Sequence, residues 1–175
     1  MNDWNEGPSI YNGFSEVEIV INRPIAEVWN KFLDLGSWVM NFDIDELYGK
    51  PGTLGSIWRC SFKAAAEQGL PPQHHHYCKI YRLIPEQRYV LKTYSAEGGS
   101  YGMEITAFDD GRFIALDPGM TKISFALFCE YKGKNVAEAA AKNPSVWDDD
   151  VRQSADGMLS NLNNLKRILE SGVKR

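Results

Sequence analysis

Trp147, Val151, Ala155, Met158, Leu162, Leu165 and Leu169 recur every three or four residues near the end of the chain. That spacing lays one apolar stripe along a helix, and so long a stripe has to be buried against something. Asn143 and Pro144 suit the helix start. Asp148, Asp149 and Asp150 fall in its first turns, and Lys166 and Arg167 near its end, as the helix dipole favours. Gly172 suits its stop. From Pro144 to Ser171 such a helix spans roughly 40 Å at about 1.5 Å per residue, so it must lie across the molecule. Gly157, in its middle, marks either a kink, a close approach or simple tolerance.

The partner for this stripe lies upstream. Phe14–Asn22 alternates, with Val17, Ile19 and Ile21 on one face and Glu16 and Glu18 on the other, the pattern of a half-buried strand. The period then changes at Pro24. Ile25, Val28, Trp29 and Phe32 follow at helical spacing, Gly36 can end that helix, and Ser37 can cap a second short one anchored by Trp38 and Phe42. A second strand places Leu54, Ser56, Trp58, Cys60 and Phe62 on one face, and Lys63–Gln73 reads as a loop. Tyr77–Ile84 and Tyr89–Ser95 form a hairpin across Pro85–Gln87. Tyr101–Phe108 is a strand ended by an Asp109-Asp110-Gly111 turn, Arg112–Leu116 pairs back on it, and Thr121–Tyr131 is the last strand. Asn135 and Glu138 have capping-box spacing for a short helix before the long one. Strands joined by short turns make an antiparallel sheet with one apolar face to cover. The C-terminal helix is the one element long enough to cover it.

Composition narrows the classes. The chain has 175 residues, 43% of them hydrophobic and 24% charged, which suits an ordinary folded domain. Residues 1–13 are polar and carry Gly7, Pro8 and Gly13, which reads as a flexible leader before a single domain over 14–175. A net charge of −4 without a Lys/Arg run argues against nucleic acid as a partner. The N-terminal stretch lacks the apolar core of a signal peptide, and no apolar run approaches the roughly 20 residues of a membrane span. Cys60, Cys78 and Cys129 are far apart and odd in number. They read as buried free thiols in a reducing, cytoplasmic setting rather than as a disulfide framework.

The order strand, two short helices, sheet and long helix resembles the START-like superfamily, also called SRPBCC, with its helix-grip fold. Ile21-Asn22-Arg23-Pro24-Ile25-Ala26-Glu27-Val28-Trp29 is similar to that family's strand-to-helix entry, Asp34-Leu35-Gly36-Ser37-Trp38 to its short-helix junction, and Trp147–Leu169 to its closing helix. The resemblance covers about residues 14–171. It implies an α+β fold in which a curved antiparallel sheet of about six to seven strands grips the C-terminal helix, with a cavity between them. It also implies binding or transport of an apolar or aromatic small molecule, such as a lipid or polyketide. Polyketide cyclase or aromatase chemistry and a co-chaperone-like interaction module are the alternatives, and a homodimer is compatible with either. On this expectation the ligand contacts are Trp38, Trp58, Cys60, Phe62, Tyr89, Phe125, Leu127, Trp147, Val151, Met158 and Leu162. The same side chains would serve equally to fill a core, and composition does not separate lining from filling.

Other candidates for chemistry weigh little. His74-His75-His76 puts two imidazoles on one strand face, but a zinc site wants three or four ligands, so a solvated run is the plainer reading and neither metal nor cofactor is expected. Mid-strand cysteines read as packing, not nucleophiles. Tyr77, Tyr81, Arg82, Tyr89 and Tyr94 offer polar groups for a pocket or for the structure. Consecutive aspartates at 148–150 do not converge on one point of a helix. Glycine-rich phosphate loops and G-x-S-x-G nucleophile motifs are absent from the sequence.

Overall fold

A computed structural model describes residues 10–63, 75–95 and 104–171. The strands are β1 (Ile10–Ile21), β2 (Phe42–Tyr48), β3 (Ile57–Phe62), β4 (His75–Ile84), β5 (Arg88–Ser95), β6 (Glu104–Asp117) and β7 (Met120–Lys132). The helices are α1 (Ile25–Leu33), α2 (Lys134–Lys142) and α3 (Val146–Ser171), with a 3-10 turn at Leu35–Ser37. One antiparallel sheet runs in the order β1-β7-β6-β5-β4-β3-β2. Strands β2 to β7 follow one another as neighbours, and β1 closes the far side beside β7. The sheet curves around α3, which makes the fold a helix grip of the α+β class.

The stripe on α3 does what its spacing requires. Trp147, Val151, Ala155, Leu162 and Leu165 are buried against the concave face. Polar ties fix the rod along its length. Tyr11 donates to Asp148 at 2.6 Å and Tyr131 to Asp150 at 2.5 Å near its start. Mid-helix, Asn161 accepts from the Met40 amide at 2.9 Å, and Asn164 donates to the Trp38 carbonyl at 2.7 Å. At the end, the Arg23 guanidinium reaches the Leu169 carbonyl at 3.0 Å and Lys166 reaches the Val20 carbonyl at 2.7 Å. Arg23 thereby puts a cation on orphan carbonyls at the negative end of the helix dipole. A Cβ on Gly157 would meet nothing within 4 Å, so this glycine is tolerated rather than required by a close approach.

Several local expectations are corrected by long-range pairing. The Asp109-Asp110-Gly111 run is not a turn: β6 continues through it, with Asp109 opposite Leu91 and Leu127 and Gly111 opposite Tyr89 and Phe125. Ladder bonds on both sides outweigh the local turn preference of Asp and Gly. Strand β1 starts at Ile10, because Ile10–Gly13 pair with Lys132–Cys129. Residues 1–9 lie outside the described residues. The second short helix after α1 is only the 3-10 turn, where Ser37 donates back to the Asp34 carbonyl at 2.7 Å, and Phe42 begins the edge strand β2. Helix α2 starts after Gly133 without a side-chain cap, so Asn135 lies within the helix rather than capping it. Beyond Lys63, the stretch read as a Lys63–Gln73 loop lies outside the described residues, as does Gly172.

Gly111 has a steric reason. A Cβ there would stand 2.7 Å from the Phe125 ring, which lies across the bare backbone. Gly111→Val is therefore expected to cost about 1–3 kcal/mol through overpacking. A urea transition within about 0.5 kcal/mol of the parent, the usual range for a surface change, would show that the ring does not need the space.

Candidate ligand-binding site

The concave face carries two apolar clusters. One, toward the N-terminal end of α3, gathers Cys129, Tyr131, Val136, Trp147 and Val151, with Tyr131 and Trp147 stacked at 4.6 Å. The other is larger and centres on Phe32, whose ring meets Trp38, Tyr89 and Phe113 at 5.0–5.1 Å and Phe125 at 5.8 Å. Trp38 is fixed there by its indole N–H, which donates to the Phe32 carbonyl at 2.8 Å.

Beside Phe32 the packing is incomplete. A cavity of about 140 Å³ lies between the sheet and α3. Strands β2 and β3 contribute Phe42, Ile44, Trp58 and Cys60 to its wall, and β4 and β5 contribute His76, Cys78, Tyr89, Leu91 and Thr93. Phe32, Leu35, Trp38 and Val39 close one side, Asp109 and Phe125 form part of the sheet floor, and Met158 and Asn161 come from α3. Of the expected contacts, the structure brings Trp38, Trp58, Cys60, Tyr89, Phe125 and Met158 to this wall. Trp147 and Val151 sit in the other cluster, and Leu127 and Leu162 are buried in the core without lining the space. The Phe62 side chain lies outside the described residues.

The polar groups on the wall were mostly not anticipated. Asp109 shares the inward face of β6 with Ala107, Gly111 and Phe113 and is one of the residues lining the cavity. Burial away from water disfavours its charged form and pushes its pKa up to about 7. The available signal was parity: once β6 is continuous, a carboxylate stands on the apolar side of an alternating strand. Cys78 approaches Cys60 at 3.8 Å between sulfurs and Thr93 at 3.6 Å. The thiol contact with Cys78, which favours its thiolate, lowers the Cys60 pKa. The same contact, then burial, raises that of Cys78. Tyr89 is buried, and desolvation raises its phenol well above the ordinary value. Cys129 is pushed up to about 11 by burial, as a packing cysteine would be.

His76 pairs across the ladder with Cys60 and faces the cavity, so it is not part of a solvated run. His74 and the His75 side chain lie outside the described residues. Among the described residues no three His, Cys, Asp or Glu side chains are grouped to hold a metal, and no helix is long and apolar enough to cross a membrane. Asp148, Asp149 and Asp150 are engaged separately by Tyr11, by Ser145 and Arg152, and by Tyr131. They form no shared site.

The sheet, the closing helix and the space between them define a helix-grip protein with a small, partly open cavity. Solved structures share that architecture. Truncated norcoclaurine synthase from Thalictrum flavum superposes with a TM-score of 0.66 at 10% identity, over 94% of this chain and 97% of that one. Ara h 8.0201 matches with a TM-score of 0.59 at 15% identity, over 93% and 99% of the two chains. DynU16, from the dynemicin biosynthetic locus, matches with a TM-score of 0.55 at 16% identity, over 91% of this chain and 48% of that one. No protein-family model and no curated protein matches the sequence. At these identities the likeness is one of fold.

Proposed function

We propose that this protein binds a small apolar or aromatic molecule in the cavity between sheet and α3. The observation that carries the reading is the cavity itself, which opens beside the aromatic cluster around Phe32. An apolar ligand there would cover aromatic and aliphatic wall groups that now face a partly open space, and removing that surface from water favours binding. The volume suits one ring, since an engineered cavity of about 150 Å³ takes up benzene. A lipid or polyketide chain would need Phe32 or its neighbours to swing aside. The structural neighbours support the reading through their shared architecture.

Native mass spectrometry, or displacement of a hydrophobic dye by toluene, tests it. Met158→Trp places a larger side chain at the cavity wall and is expected to abolish uptake while the chain stays folded. Uptake unchanged in that variant would place the ligand elsewhere.

A second reading, polyketide cyclase or aromatase-type chemistry, is favoured by one specific observation. Asp109, His76 and Tyr89 converge on one cavity, where a carboxyl titrating near neutrality can take or give a proton. Exchange of acidic C–H protons of a bound ketone in deuterated buffer, abolished in Asp109→Asn, is its expected signature.

A further inference from the structure

We infer that Asp109 makes the cavity a site for a protonated amine carried on a single apolar or aromatic ring. The inference rests on the binding reading above and adds the chemical class of the ligand. Its basis is an uncompensated carboxyl. The Asp109 carboxyl makes no hydrogen bond or ion pair with any described residue, and the ladder neighbours Leu91 and Leu127 are apolar. Among the described residues no lysine or arginine lines the cavity. The cations nearest in sequence and register serve the opposite face of the sheet: Arg88 holds Asp110 at 2.7–2.8 Å, and Lys92 lies over the exposed Phe108 ring. Since no described residue supplies a positive charge to this carboxylate, an ammonium on the ligand is the partner that fits it.

The rest of the wall fits that charge. Trp38, Trp58, Phe42, Tyr89 and Phe125 present aromatic groups to the same space, and ring faces attract organic cations, most strongly when desolvated. A carboxylate or phosphate ligand would meet Asp109 as a like charge. A neutral ring would gain nothing from it beyond a hydrogen bond. An ammonium on a benzene-sized ring gains an ion pair, ring contacts and the filled volume together.

Among the described residues the ionisable groups around Asp109 are Cys60 on β3, His76 and Cys78 on β4, Tyr89 on β5 and Cys129 on β7. With Asp109 protonated half the time near pH 7, an ammonium must displace that proton in order to pair. Amine affinity should then fall roughly tenfold per pH unit below neutrality.

The test uses the full chain and three probes of one size: benzylamine, benzyl alcohol and toluene, titrated by calorimetry or ligand-observed NMR. At pH 8, benzylamine is expected to bind at least tenfold more tightly than benzyl alcohol, and at pH 5.5 the preference should be gone. Asp109→Asn should level the two at both pH values while toluene still binds. His76→Gln should keep the wild-type pH profile, which separates the carboxyl from the imidazole. Equal binding of amine and alcohol by the wild type at pH 8, or a preference surviving in Asp109→Asn, overturns the amine inference and leaves the cavity reading standing. Failure of all three probes overturns both. Should Asp109→Asn fail to fold, the wild-type and His76→Gln pH profiles decide the matter alone, a flat benzylamine profile refuting the inference.

Discussion

Asp109→Asn is expected to stabilise the protein, and increasingly so as the pH rises. The folded carboxyl has its pKa raised from 3.8 to about 7 by desolvation. The native state therefore keeps a proton that the unfolded chain releases between those values. Stability linked to this group is intact at pH values below the unfolded pKa, declines between the two, and is fully lost above about 7. A rise of that size is worth about 4 kcal/mol, an upper figure because Asp109 keeps some accessible surface. Asparagine preserves the shape and cannot ionise. In urea melts at pH 4, 6 and 8, parent and variant should lie within about 1 kcal/mol at pH 4 and separate by roughly 3 kcal/mol at pH 8. Parallel curves would show that Asp109 is solvated or paired in solution. A protein that retains a destabilising carboxyl in its core does so against its own stability, as binding and catalytic sites commonly do.

Phe32→Ala should act in the opposite direction. The ring is 1% exposed and touches four other aromatic side chains around the cavity. Removing it is expected to cost about 3–5 kcal/mol, the usual range for a buried phenylalanine. The vacated volume joins the cavity, so ligands larger than one ring, naphthalene for example, should bind the variant and not the parent. Since the parent's folding stability is the margin, the variant is best measured with ligand present, which stabilises whichever state it binds. A loss under about 1 kcal/mol would mean that the aromatic cluster re-packs around the gap, and no new ligand range should then appear.

Much of the architecture was readable because it rests on local periodicity. The 3.6-residue stripe on α3 and the alternation of Val17, Ile19 and Ile21 each fix a face, and a face fixes what must cover it. Arg23, in the stretch that resembled the family's strand-to-helix entry, also ties that junction to the end of α3. Legibility failed where a local preference was overruled from outside. Asp109-Asp110-Gly111 has turn chemistry, yet it runs straight because β5 and β7 bond both its edges. Phe42 looked like a helix anchor and begins an edge strand, since β3 offers it a ladder.

The same distinction divides the site. Apolar residues at inward parity told which side chains face the helix: Trp58, Phe125 and Met158 line the cavity, while Trp147 and Leu162 simply pack. Parity gives direction but not depth along the groove, and depth separates lining from filling.

By itself the sequence determined the helix grip: a sheet with one apolar face and a rod long enough to lie in it. Only the tertiary structure decided where the rings fail to meet, and that a carboxyl stands at that gap with no counter-charge among the described residues. The physical reason is that hydrophobic periodicity is a property of neighbours in the chain. Voids and uncompensated charge are properties of neighbours in space, set by register between strands far apart in sequence.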